Sequence, residues 1–248
     1  MRHSLYVFLL LTLVACSSTP DTTNYTAEEL YSQGMASMED HNFEKAVKTF
    51  EKLQSRYPYG RYAQQAQMEI AYSYYKQGEP APALSAIERF IKQYPNNAHL
   101  DYVYYLKGLV NFDENLGGIM NALSQQDPSE RDPKSLHESF DTFKELVTRF
   151  PSSIYAPDAR LRMQYLLNTL AGSDIHVANY YLRRGAYIAA ANRAKGVLSD
   201  YPNTPQTREA LQILVQAYDA MGMKELRDDA QRILKLNTGK SASAPAVK

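Results

Sequence analysis

Four times along this chain an aromatic residue is followed by proline: Tyr57-Pro58, Tyr94-Pro95, Phe150-Pro151 and Tyr201-Pro202. Counted back from each proline, a small residue stands 12 positions earlier (Ala46, Ala83, Ser139, Ala190). A second residue of the stripe stands 8 earlier (Phe50, Ile87, Phe143, Ala194) and a third 5 earlier (Leu53, Phe90, Leu146, Val197). Steps of 4 and 3 put all three on one face of an α-helix, with the small residue where two helices approach closely and the proline ending the helix. These segments are predicted to be the second helices of helical hairpins.

The first helices precede them. Gly34 and Ala71 lie 12 positions before Ala46 and Ala83, and Ala178 lies 12 before Ala190. Gly78 and Gly185 fall in the turns between helices, and Gly222 follows Pro202 by the same 20 residues that separate Gly78 from Pro58. The pattern resembles the tetratricopeptide repeat, although its consensus tryptophan is replaced by Leu30, Gln67 and Asp174. A fifth hairpin, with helices near 204–220 and 224–236, completes an expected all-α, right-handed α-solenoid of five tetratricopeptide-like hairpins.

Two spacings are longer than the first. Pro58 to Pro95 is 37 residues, whereas Pro95 to Pro151 is 56 and Pro151 to Pro202 is 51. In the third repeat Gly108 precedes Ser139 by 31 rather than 12, so about 19 residues are inserted between its helices. The insert, near 115–133, contains Gly117-Gly118 and the run Asp127 to Pro133, dense in turn residues, and is predicted to be a protruding loop. In the fourth repeat the extra residues read as additional helix from about Tyr155 to Arg184, interrupted at Gly172-Ser173. The expected organisation is front repeats one to three over 25–151 and back repeats four and five over 152–236, with a flexible tail at 237–248.

Ahead of the repeats, Arg2 and an apolar stretch from Leu5 to Val14 lead into Leu13-Val14-Ala15-Cys16, which contains the single cysteine of the chain. That stretch is too short to span a bilayer, which needs about 18 to 20 apolar residues, and has the layout of a secretory signal. A small residue followed by cysteine resembles the lipobox of bacterial lipoproteins. The resemblance implies a signal peptide at 1–15, lipidation at Cys16, a polar tether at 16–24 and, with Ser17 next, placement at the outer membrane.

The chemistry of an enzyme is missing from the pattern. The five histidines are scattered without ligand spacing, no nucleophile elbow or phosphate loop occurs, and adjacent acids such as Glu28-Glu29 and Asp228-Asp229 point apart on helices. No catalytic residue, metal site or cofactor is expected. Basic and acidic residues cancel at 27 each, which gives no footprint for nucleic acid.

The first helices of such a stack line its concave face. In the repeat register that face takes Tyr31, Met35 and Met38, then Met68, Tyr72 and Tyr75, then Tyr105, Leu109 and Phe112. Methionine repacks easily and tyrosine offers a ring and a hydroxyl, so the set reads as a peptide-binding groove. Tyr57, Tyr59, Arg61 and Tyr62 crowd the turn after the first hairpin, as an aromatic and basic patch or as a staple between repeats. A second cluster joins Tyr180, Arg183 and Arg184 to Arg193, an arginine of the kind enriched at interface hot spots.

Beyond the repeat pattern, the lipobox, Arg56-Tyr57-Pro58-Tyr59-Gly60, Ala71-Tyr72-Ser73-Tyr74-Tyr75-Lys76, Asp101-Tyr102-Val103-Tyr104-Tyr105, Asp127 to Pro133, Val177-Ala178-Asn179-Tyr180-Tyr181 and Asn192-Arg193 together resemble the BamD family. The resemblance runs from about Tyr25 to Leu236. It implies a lipid-anchored scaffold on the periplasmic face of the outer membrane, in the machine that folds β-barrel proteins, beside accessory assembly lipoproteins. Its back repeats would dock on a periplasmic domain of the barrel subunit BamA through Arg193 and its neighbours. Its front repeats would take the C-terminal signal of unfolded barrel proteins, with Lys76 or Arg61 meeting the terminal carboxylate. A tetratricopeptide lipoprotein that recruits cell-wall hydrolases, or serves another envelope complex, explains the lipobox and hairpins equally well but not the insert.

Overall fold

A computed structural model describes residues 24–116, 129 and 133–241. Its ten helices, among the described residues, are α1 (Ala27–Glu39), α2 (Phe43–Arg56), α3 (Arg61–Gln77), α4 (Pro80–Gln93), α5 (Leu100–Leu116), α6 (Lys134–Arg149), α7 (Ala156–Arg183), α8 (Tyr187–Asp200), α9 (Thr207–Ala220) and α10 (Lys224–Ser241). They pair as five hairpins, and the fold is all-α. The described chain divides into two compact units, one ending at Glu69 and the other beginning at Ile70. In the first, α1 packs on α2; in the second, successive helices from α4 to α10 pack in order, and α7 also touches α9, the first helix of the next hairpin.

The repeat signature has a uniform physical meaning. Each aromatic before proline is a C-cap with φ between −126° and −129° and ψ between 51° and 69°. Proline disfavours the helical region for the residue before it, so the chain leaves the helix at that point. The cap's own N–H still donates to the carbonyl four residues back, on Leu53, Phe90, Leu146 and Val197, which are all buried. The hairpin turns share a second device. Gly78, Gly185 and Gly222 have φ of 72°, 73° and 71°, and each stands two residues before the next helix. In the first hairpin the same position holds His41, whose φ of 57° is left-handed without the freedom of glycine.

The small residues mark the close approaches. A Cβ on Gly34 would stand 2.4 Å from Cε1 of Phe50, and one on Gly108 would stand 2.4 Å from Cε1 of Phe143. Both rings are fully buried. Phe50 follows Gly34 by 16 positions and Phe143 follows Gly108 by 35, the excess being the 19 inserted residues. The pair therefore re-forms across the insert, and the Ser139 hydroxyl, also buried, donates to the Gly108 carbonyl at 3.0 Å. The insert itself lies mostly outside the described residues, as do the signal segment, Cys16 and the end of the tail.

Two expectations need correction. Gly172-Ser173 does not interrupt the fourth repeat: α7 is one helix of 28 residues, about 42 Å at 1.5 Å per residue. Buried Leu166, Leu170, Ala171, Ile175 and Ala178 keep its apolar stripe continuous through the glycine. Gly172 instead admits a neighbour, since a Cβ there would stand 3.1 Å from the Cβ of Ser129. At the other end, α10 continues to Ser241, past the boundary at 236, because extending a formed helix gains a hydrogen bond for each residue fixed.

Gly108→Ala is expected to lower stability by about 1–3 kcal/mol, as overpacking a filled core does. Phe143→Leu in the same chain should recover part of that loss, so thermal melting of both single variants and the pair should show less than additive effects; strict additivity would mean that the ring does not sit against the glycine.

Candidate functional site

In the unit ending at Glu69, Tyr31 is half-buried, its ring 5.7 Å from Phe50 and 5.6 Å from Tyr62. Burial first, then the neighbouring Glu69, pushes its hydroxyl up to about 12. Met35 is half-buried beside it in sequence register, whereas Met68 is buried. The turn after α2 exposes Tyr59 almost completely, at 90%. Arg61 donates to the Tyr62 hydroxyl at 2.9 Å, with its guanidinium 4.7 Å from the Tyr62 ring. The Tyr57 hydroxyl donates to the Tyr25 carbonyl at 3.1 Å, tying this turn to the start of α1. Arg61 and Tyr62 are thus in contact, whereas the Tyr57 bond closes the first hairpin on itself and does not staple two repeats.

In the unit beginning at Ile70, Tyr72 and Tyr75 are half-buried with ring centroids 6.2 Å apart, and Lys76 is exposed. The hydroxyl of Tyr75 donates to Asp113 on α5; burial first, and then that carboxylate, raise its pKa. Tyr105 repeats the arrangement one hairpin on. Its hydroxyl donates to Asp158 on α7 at 2.7 Å, and its ring stacks on Tyr155 at 4.7 Å and 18°. Although burial works to raise it, the Asp158 carboxyl is held below its ordinary range by Tyr105 and by Arg162, whose Nε donates at 2.6 Å. The Arg162 guanidinium lies 4.8 Å from the ring of Phe112, which is itself buried.

The hydroxyls of Tyr75 and Tyr105 therefore fasten successive first helices together and are engaged before any ligand arrives. Rings, and the exposed parts of Tyr72 and Lys76, are what this face offers. Sequence reasoning placed the tyrosines but missed Asp113, Asp158 and Arg162. The spacing of Asp158 and Arg162, four residues apart on one helix, is the signal that points to an ion pair there.

The second cluster assembles on α7 and α8. Tyr180 is 47% exposed, and the guanidinium of Arg184 lies 5.4 Å from its ring and donates to its hydroxyl at 3.2 Å. Arg193, exposed on α8, pairs with Asp174 on α7 at 3.0 Å. Tyr180, Tyr181, Val177, His176, Asp174 and Arg193 line one open cleft of about 470 Å³, with Ser129 and Pro133 at its edge. Arg183 is exposed at the end of α7 and is not part of that lining. Among the described residues no group of three or more His, Cys, Asp or Glu is placed to hold a metal ion, and no helix is long and apolar enough to cross a membrane.

Glu69 carries an electrostatic feature with a pH consequence. Burial raises its pKa, against the Tyr31 hydroxyl that lowers it, so the folded chain favours the neutral acid. The stability linked to that proton is complete below the ordinary value of 4.5 and is lost as pH rises through the folded value. Glu69→Gln should accordingly melt higher than wild type near neutral pH, with the gap closing as pH falls below 4.5; a gap independent of pH would remove Glu69 as the cause.

The family described as outer membrane lipoprotein, YfiO, matches residues 23–233. Outer membrane protein assembly factor BamD of Neisseria meningitidis serogroup A is 44% identical over 96% of this chain and 91% of its own length. The BamD of Vibrio cholerae is 36% identical, over 91% of this chain and 93% of its own. That of Xylella fastidiosa Temecula1 is 39% identical over 85% of this chain and 71% of its own. With its five hairpins, its re-formed glycine and phenylalanine pair across the insert and this extent of identity, the chain belongs to the YfiO/BamD family of outer membrane lipoproteins.

Proposed function

We propose that this protein is a lipid-anchored, non-enzymatic scaffold in the assembly of outer-membrane β-barrel proteins. The observation that carries the reading is identity over nearly the whole chain to relatives named as outer membrane protein assembly factors. Lipid on Cys16 would hold the helical body at the periplasmic face of the membrane. Several acyl chains on one residue, each adding about 0.8 kcal/mol per buried CH₂, suffice for stable anchoring.

The front repeats, over 25–151, receive the C-terminal signal of the unfolded barrel protein. In the unit beginning at Ile70, Tyr72 supplies an accessible ring, Tyr75 and Tyr105 form a wall fixed by Asp113 and Asp158, and Lys76 meets the terminal carboxylate. In the unit ending at Glu69, exposed Tyr59 and Arg61, with half-buried Tyr62 against the arginine, offer aromatic and basic groups suited to the same kind of unfolded segment. The back repeats, over 152–236, dock on a periplasmic domain of BamA. Support for that role comes from Arg193 and Tyr180, which line one cleft with a carboxylate, Asp174, already in place to hold the arginine extended. An acidic partner side chain would exchange with Asp174 for the guanidinium, a bidentate recognition that lysine would not reproduce.

Tyr72→Ala with Lys76→Ala is expected to weaken affinity for a peptide ending in phenylalanine by about tenfold, the scale of one interface hot spot, with melting unchanged. Tyr75→Phe should leave that affinity intact, since its hydroxyl serves α5 rather than a ligand; a large loss in this variant would mean that the hydroxyl contacts the peptide after all. For the docking surface, detergent extracts of the native host should yield a large outer-membrane barrel protein with the wild-type chain and lose it with Arg193→Glu. Recovery of cell-wall hydrolases instead would assign the scaffold to another envelope complex.

A further inference from the structure

Balanced overall charge conceals a local segregation on α2. Lys45, Lys48, Lys52 and Arg56 follow one another at steps of 3, 4 and 4. At about 100° per residue they fall within an arc of about 80°, a single row about 16 Å long. Lys45, Lys48 and Arg56 are exposed and Lys52 is half-buried, while the opposite face of the helix sends Ala46, Val47, Phe50 and Leu53 into the core. The acids of α2, Glu44 and Glu51, stand seven residues apart on a neighbouring line, outside that arc. Glu44 reaches Lys48 at 2.6 Å, with the two side chains 73% and 70% exposed. An exposed pair of that kind holds weakly, so Lys48 exchanges readily to another anion.

The row ends where the chain leads off toward Cys16. The Tyr57 hydroxyl donates to the Tyr25 carbonyl at 3.1 Å, which sets the start of the described chain beside the C-terminal end of α2. Eight residues separate Asn24 from Cys16, at most about 28 Å of extended chain. That reach exceeds the length of the row, so a lipid on Cys16 allows α2 to lie along a membrane surface and keeps it within range of one. The other acids of this unit lie off α2. Glu39 and Asp40 stand at the turn before it, Glu28 and Glu29 lie in the first turn of α1 with Glu29 held by Thr26 in a capping box, and Glu69 favours its neutral form. Asp21 is the one charge between Cys16 and Asn24.

We propose that this row is a membrane-apposed face, held by the anionic phospholipid headgroups of the leaflet that carries the Cys16 lipid, an inference that rests on the lipid-anchored reading above. Phosphate oxygens accept charge-assisted hydrogen bonds from lysine and arginine. The acyl chains alone retain the protein, so the row sets how the first hairpin lies rather than whether it stays. Each basic residue close to an anionic surface favours apposition by about fivefold. A short tether makes that contact intramolecular, so a weak attraction per residue suffices. The row excludes Tyr59 and Arg61, which remain for the unfolded segment; Tyr59 stands at the turn that follows α2, so a segment taken there is taken close to the membrane.

The test uses the full-length lipidated chain in vesicles of phosphatidylcholine alone, or of phosphatidylcholine with phosphatidylglycerol. Because Cys16 carries the lipid, Ser55→Cys, at an exposed position of α2, supplies one free thiol for a bimane label, read by its quenching from nitroxide-headgroup lipid. Phosphatidylglycerol should raise the ratio of apposed to lifted label at least tenfold, and molar salt should reverse the rise. Lys45→Gln with Lys48→Gln should lower that ratio at least tenfold with melting unchanged, whereas Glu44→Gln with Glu51→Gln should raise it. Equal quenching in the two vesicles, or wild-type quenching in the lysine variant, from a chain that still floats with the vesicles overturns the inference and leaves the anchor standing. A chain that floats with neither vesicle overturns the anchor and the inference together. Dependence on the lysines that emerges only when native membrane extract is added assigns the row to an acidic protein partner and overturns it as well.

Discussion

Two hairpins of this protein are set by a phenylalanine ring lying where a side chain is missing. The rings of Phe50 and Phe143 occupy the space a Cβ would take on Gly34 and Gly108, and neither is accessible to solvent. Much of the neighbouring surface is built outward from those rings. Tyr31 packs on Phe50 at 5.7 Å, and Tyr105 and Phe112 pack on Phe143 at 6.1 and 6.3 Å. Because protein interiors are close-packed, a ring that cannot move fixes the residues touching it. Tyr31, Tyr105 and Phe112 are thus placed by the cores of their hairpins. In the other hairpins the same register holds Ala71 with Ile87 and Ala178 with Ala194, so the aromatic pairing is a local solution to a volume that other repeats fill differently.

The tyrosines illustrate how one residue type serves two purposes. Twenty of them in a chain without tryptophan suggest an aromatic binding surface, yet several are committed to the structure. Tyr104 accepts from Arg149, whose guanidinium sits 4.9 Å from its ring and 5.4 Å from that of Phe150. Tyr75 and Tyr105 donate to carboxylates one hairpin on. These two phenols satisfy their hydroxyls across the boundary to the next repeat, because within their own helix the backbone acceptors are already used. Tyr59 and Tyr180 are different: their rings are open to solvent, one at a turn and the other near a helix end.

How far the sequence reveals this follows from the range of the interactions involved. The caps, the turns and the register of Ala46, Ala83, Ser139 and Ala190 depend on residues within a few turns of one another, and the aromatic and proline spacing encodes them directly. Arg193 was legible as an exposed arginine on a second helix because the repeat register alone fixes its face. Asp113, Asp158 and Asp174 were not, since each carboxylate meets a residue of another helix, 19 to 53 residues away in the chain. Burial of Met68 was hidden for a similar reason: a methionine reads equally as groove or core until its neighbours are known.

Gly172 makes the same point with the opposite sign. A glycine inside a helical stretch costs about 1 kcal/mol relative to alanine, and on local grounds it reads as a break. The choice between break and close approach is settled by what flanks it. Leu170, Ala171 and Ile175 are buried on either side, so bending the helix there would expose a stripe that belongs to the core. Continuity costs less than exposure, and the missing Cβ then leaves room for Ser129 and the Gln206 amide against the helix. The uninterrupted α7 has a structural consequence. Asp174, two residues past the glycine, reaches Arg193 from a continuous helix, so the arginine is held at a set position.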